Sequence, residues 1–195
     1  MKTMTTMVAA ATLALGATGS ALADPSYPHV GTINPVSYTF EAATTGDVTA
    51  YFLGSSAGDT DLVYWQVGNG TINTAGFDNH TSTRGATIDL GDLTAGEAVT
   101  FYMYNEATHQ TYSTDTSLNP DGISHVYSTV FDGDGDIPKG LFIAFEDLPK
   151  GGSDYDYNDV AFSASNIKAV PEPANLALLM GGLGLVGFMA RRRRG

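Results

Sequence analysis

Eight carboxylates and one amide crowd into the 28 residues from Asp132 to Asp159, a density that calls for a hard cation. The first run is F-D-G-D-G-D, with Asp132, Asp134 and Asp136 at every second position. Glu146 and Asp147 follow in F-E-D-L-P, then Asp154, Asp156, Asn158 and Asp159 in G-G-S-D-Y-D-Y-N-D. Within the stretch, only Lys139 and Lys150 offset the charge. Carboxylates this close repel one another, and a cation with about six to eight oxygen ligands relieves the repulsion. Calcium suits glycine-rich loops of Asp, Asn and backbone carbonyls, so Ca2+ is the expected ligand of all nine residues. The D-G-D-G-D run is not an EF-hand. With Asp132 as the first ligand, the sixth position is Ile137 instead of Gly and the twelfth is Ile143 instead of Glu. A solvated glycine-rich turn is the competing reading of that run.

Other chemistries have less in their favour. The chain has no cysteine, which removes thiol, disulfide and c-haem chemistry. His29, His80, His109 and His125 are scattered, without the spacing of a zinc site. There is no phosphate loop. Two carboxylates could serve a glycoside hydrolase as acid and as base or nucleophile. Aspartates in Gly-rich turns more readily bind metal than tune one proton, so no residue is assigned a catalytic role. Trp65 and the tyrosines could stack on sugar rings, although a lone Trp among alternating residues more often belongs to a core.

The elements that must position these residues are strands. Val36, Tyr38, Phe40 and Ala42 alternate with Ser37, Thr39 and Glu41, the period of a half-buried strand. Residues 48–53, 62–67, 86–90, 97–105 and 123–131 read the same way. Residues 141–145 are apolar at every position, as in a strand covered on both faces, and 160–164 supply the last strand. Turn signals such as Gly68-Asn69-Gly70 and Asn119-Pro120-Asp121-Gly122 separate them. The expectation is an all-β fold: an antiparallel, jelly-roll-like β-sandwich of about eight strands over residues 24–169. In extended geometry Asp154, Asp156 and Asn158 would share one side of the chain, with Tyr155, Tyr157 and Asp159 on the other. Residues 24–170 hold twenty acidic residues against four basic ones, a net charge of −16 that repels nucleic acid and attracts divalent cations.

Both ends carry targeting signals. Met1-Lys2, an apolar run over 7–17 and the small-residue site Ala21-Leu22-Ala23 make residues 1–23 a signal peptide for signal peptidase. At the other end, Pro171-Glu172-Pro173 precedes an apolar run over 174–190 and the cluster Arg191, Arg192, Arg193 and Arg194. The run reads as a single transmembrane helix of about 26 Å, with the arginines held on the cytoplasmic side. The prolines keep the segment before it extended and open to a processing enzyme. This tripartite tail, residues 170–195, resembles the PEP-CTERM sorting signal of Gram-negative bacteria. The resemblance implies an inner-membrane intermediate, recognition by an exosortase, cleavage near the motif, and delivery to the cell surface or the exopolysaccharide matrix.

The stretch F-E-D-L-P…G-G-S-D-Y-D-Y-N-D-V resembles the bacterial module known as domain of unknown function 4114. Ala50-Tyr51-Phe52-Leu53-Gly54-Ser55-Ser56-Ala57-Gly58, Asp89-Leu90-Gly91 and Ala95-Gly96 extend the likeness to about residues 46–167. The family's acidic positions carry over to Glu146, Asp147, Asp154, Asp156, Asn158 and Asp159. The resemblance brings no established reaction with it. Sequence therefore points to an exported structural or adhesive protein of the matrix, stabilised by calcium. A carbohydrate-binding module of the exopolysaccharide and a carboxylate-dependent hydrolase are the alternatives.

Overall fold

The computed structural model describes residues 23–171. The signal-peptide positions up to Leu22, including Ala21, lie outside the described residues. So do Glu172, Pro173, the 174–190 run and the four arginines. Among the described residues no helix is long and apolar enough to cross a membrane.

Ten strands form two antiparallel sheets. They are β1 (Tyr38–Ala42), β2 (Gly46–Gly54), β3 (Asp61–Val67), β4 (Thr87–Leu93) and β5 (Ala98–Asn105), followed by β6 (Gln110–Ser113), β7 (Val126–Phe131), β8 (Gly140–Phe145), β9 (Val160–Ala164) and β10 (Ile167–Pro171). One sheet runs β10-β1-β5-β3, with β6 also paired to β5; the other runs β4-β2-β9-β8-β7. The all-β antiparallel sandwich expected from the alternation is what forms. Two strands had no signal of their own. β6 is four residues of Q-T-Y-S, too short and polar to show a period. β10 runs into the sorting tail, and Pro171 closes it opposite Tyr38 at the sheet edge, where a missing N–H costs no ladder bond.

The inward positions of all ten strands meet in one core. Phe162 of β9 sits at its centre, with ring centroids 5.0 Å from Phe101 and 5.9 Å from Phe77. Trp65 belongs to this core and is 7 % exposed, so it is unavailable as a sugar-stacking platform. Strand β8 is apolar on both faces because its outer face is covered as well. Phe142 and Ala144 pack there with Leu53, Phe131 and Ile137. Close to that face, Tyr27 of the N-terminal arm packs edge-on against Tyr127 and Tyr157.

Candidate metal centre

The acidic residues collect at one end of the sandwich because of how β8 and β9 pair. The last pair of that ladder is Phe145↔Val160, so residues 146–159 form the connection between two adjacent strands. Glu146 and Asp147 leave β8 as Asp159 enters β9, and the Asp147 N–H donates to Asp159 Oδ2 at 2.9 Å. The connection does not stay extended. Tyr155 and Tyr157 both adopt the left-handed conformation, at φ 53° and 55°, which costs a bulky residue about 1–2 kcal/mol. Burial of Tyr157 offsets the strain: its hydroxyl accepts from the Asn34 N–H at 2.8 Å and donates to the Ser124 carbonyl at 3.1 Å. The N-terminal arm adds a further tie, with the Gly31 N–H donating to the Asp154 carbonyl at 3.1 Å.

This curled path redistributes the carboxylates. One oxygen each from Glu146, Asp154 and Asp156 lie within 4.8 Å of one another, and so do oxygens of Glu146, Asp147 and Asp159. Oxygens on opposite sides of one calcium ion are about 5 Å apart, so either trio fits a single ion's shell. Glu146 belongs to both. Asp159 thus joins the group instead of facing away, because two left-handed residues break the two-residue alternation. Asn158 turns its side-chain amide onto Asp156, and its backbone N–H donates to Asp156 Oδ1 at 3.2 Å. Glu146, Asp147, Asp154 and Asp159 border a cleft of about 310 Å3 that also takes in Ser56, Gly58 and Asp59 from the loop between β2 and β3, whereas Asp156 and Asn158 line a neighbouring pocket.

Two residues from the other sheet complete the cluster, and sequence reasoning missed both. Asp61 opens β3 opposite Asn105, which ends β5. Asp61 is fully buried, and neither of its carboxylate oxygens has a hydrogen-bond partner. The Asn105 side-chain amide donates to Asp59 Oδ2 and to Asp147 Oδ2, both at 3.2 Å. The signal was present in the alternation: Asp61, Val63 and Trp65 share one face of β3, and Val63 and Trp65 are core.

The electrostatics are those of crowded acids. Burial first, then Asp147 and Asp59, raises the Asp61 carboxyl to about 8. Burial, then Glu146 and Asp147, raises Asp159 above the usual carboxylate range, and burial raises Glu146 and Asp147 in the same direction. Asp156 is raised by burial and by Asp154. Among the described residues no salt bridge reaches any of these groups. Two ways of relieving the repulsion are open: protonation, or a cation.

The Asp132–Asp136 loop is not part of this cluster. Asp132 pairs with Lys139 at 2.9 Å, and Asp134 with Arg84 at 2.8 Å. The Asp134 carboxylate also accepts from the backbone N–H groups of Ile137 and Asp136, and these bonds with Arg84 hold it below the usual range. The loop borders its own shallow pocket, lined by residues between Asp132 and Lys139. Arg84 in turn binds Asp24, pinning the N-terminal arm.

The chain matches two known families. Residues 93–166 match the domain of unknown function DUF4114, and residues 169–194 match the PEP-CTERM protein-sorting motif. The first match covers the acidic connection and most of the strands around it, but leaves Asp59 and Asp61 outside. The second marks an exported protein recognised by an exosortase-type processing enzyme. Neither description names a catalytic activity. No curated protein and no solved structure matches the chain.

Proposed function

We infer that this exosortase-sorted protein is a calcium-stabilised β-sandwich with a structural or adhesive role at the cell surface or in the extracellular matrix. Calcium is held by Glu146, Asp154 and Asp156 with the backbone and Asn158 of the same connection. The observation that carries this reading is the convergence of those three carboxylates within one ion's reach, on a loop held by buried Tyr157 and by Gly31. An ion there fastens the 146–159 connection to the end of the sandwich. Binding at a hundredfold excess over Kd stabilises the native state by about 2.7 kcal/mol. For a domain of this size that corresponds to a rise in Tm of roughly 5–10 °C. Magnesium gives a smaller rise, since it demands stricter geometry and releases water reluctantly. Thermal unfolding of the mature protein in chelator and in calcium tests this. Asp156→Asn removes most of the calcium effect and Asp92→Asn none of it; a curve indifferent to both calcium and chelator overturns the reading.

The alternative of exopolysaccharide binding has lost Trp65 as a stacking surface and keeps only tyrosines. A hydrolase remains the more distant reading, because several mutually repelling acids share one cleft and no single carboxyl stands apart as the proton donor.

A further inference from the structure

The outer trio leaves Asp61 unexplained. It is fully buried, neither of its oxygens has a partner of good hydrogen-bond geometry, and it lies against the Asp147 carboxyl and the Asn105 amide and feels the charge of Asp59. A buried carboxylate without a donor costs several kcal/mol, and native structures rarely keep one idle. A second orphan lies nearby. The Tyr112 hydroxyl is buried and without a partner, and burial together with the charges of Asp121, Asp147 and Glu146 raises it to about 12. The charge of Asp147 bears on both of these buried groups.

Charge points the same way. Asp59, Asp61, Glu146, Asp147, Asp154, Asp156 and Asp159 form one cluster that no salt bridge among the described residues relieves. A single divalent ion on the outer trio offsets two charges and leaves the buried acids to be relieved by protonation or by a second cation. The buried side has its own compact set of oxygens, from Glu146, Asp147 and Asp159.

We propose a second, inner calcium site in which Asp147 and Asp159 hold an ion whose shell is completed by Asp61 and Asp59, with Glu146 shared with the outer ion. Its ligands come from both sheets: Asp61 opens β3, and Asp147 and Asp159 flank the β8–β9 ladder. The inner ion therefore bridges the two layers, while the outer one fastens the 146–159 connection to the end of the sandwich. The proposal extends the calcium reading above, and the two fail differently.

The test counts ions. The mature protein is stripped with chelator, returned to calcium, and its bound calcium is measured by titration calorimetry and native mass. Two ions per chain are expected for the wild type, and one for Asp61→Asn and for Asp154→Asn. The residual ion in Asp61→Asn is abolished by adding Asp154→Asn. If Asp61→Asn does not fold, Asp59→Asn is counted in its place, since that half-buried residue lines the cleft, and the same loss is expected. One ion in the wild type, or two retained in the Asp61 or Asp59 variant, overturns the inner site and leaves the outer one standing. No bound calcium overturns both.

Discussion

Metal-free protein should lose stability as the pH rises from 5 to 7, the reverse of ordinary acid denaturation. Asp61 is the group that makes this quantitative. Burial, Asp147 and Asp59 raise its carboxyl to about 8 in the folded chain, while in the unfolded chain it titrates near its ordinary 3.8. Between those values the folded state holds a proton that the unfolded state has released. Stability therefore falls with pH by about 1.4 kcal/mol per unit for each such proton. Over pH 5 to 7 the loss is about 2.7 kcal/mol from one proton, and Tm drops by roughly 5–10 °C for a domain of this size. Asp159, Glu146 and Asp147 shift in the same direction and steepen the slope. Asp121 and Asp134 shift the other way, but they titrate below the window and do not cancel it. The assay is thermal unfolding in chelator at several pH values, for the wild type and for Asp61→Asn. The variant should be more stable than the wild type at pH 7 and show a shallower slope. Saturating calcium should flatten the wild-type slope, since it holds the carboxylates ionised. A metal-free Tm that climbs from pH 5 to 7, or a slope unchanged by Asp61→Asn, refutes the reasoning.

Phe162→Ala opens a cavity where both sheets meet and should cost about 3–5 kcal/mol in denaturant unfolding. Gly76→Ala places a Cβ 1.5 Å from the Val63 carbonyl oxygen. It should lower stability by about 1–3 kcal/mol or more, while Gly54→Ala, with open space around it, stays within about 0.5 kcal/mol. Replacing Glu172 should block processing of the tail without changing the melting curve of the body. Intact mass of the exported protein reads this directly: wild type ends near residues 171–173, whereas the variant keeps its tail.

The fold was legible wherever strands are half-buried, as in β5, where Val99, Phe101 and Met103 face the core between Thr100 and Tyr104. It was legible in β8 for a different reason, since a run without polar residues belongs inside a sheet covered on both faces. β6 was hidden because four residues carry too little pattern to identify. The site was legible as a composition and not as a geometry. Glu146, Asp154 and Asp156 do converge, but Tyr157, at φ 55°, is held by contacts to Asn34 and Ser124 far away in the chain, and the carbonyl of Tyr155, at φ 53°, accepts from the equally distant Gly31 N–H. The Asp132–Asp136 loop looked equally acidic, yet Asp132 is answered by Lys139 and Asp134 by Arg84, the latter 50 residues from Asp134. Asp61 was overlooked because a lone Asp after a Gly-Asp turn resembles a loop residue. Only its shared face with Val63 and Trp65 betrays its burial.

A crystal structure of the mature protein grown in calcium, with anomalous scattering recorded, tests the metal centre most directly. The predicted result is an anomalous peak in the cleft at the end of the β8–β9 ladder, with oxygens of Glu146, Asp154 and Asp156 at about 2.3–2.6 Å. A cleft that stays empty at saturating calcium, with Asp154 and Asp156 turned to solvent, would contradict it.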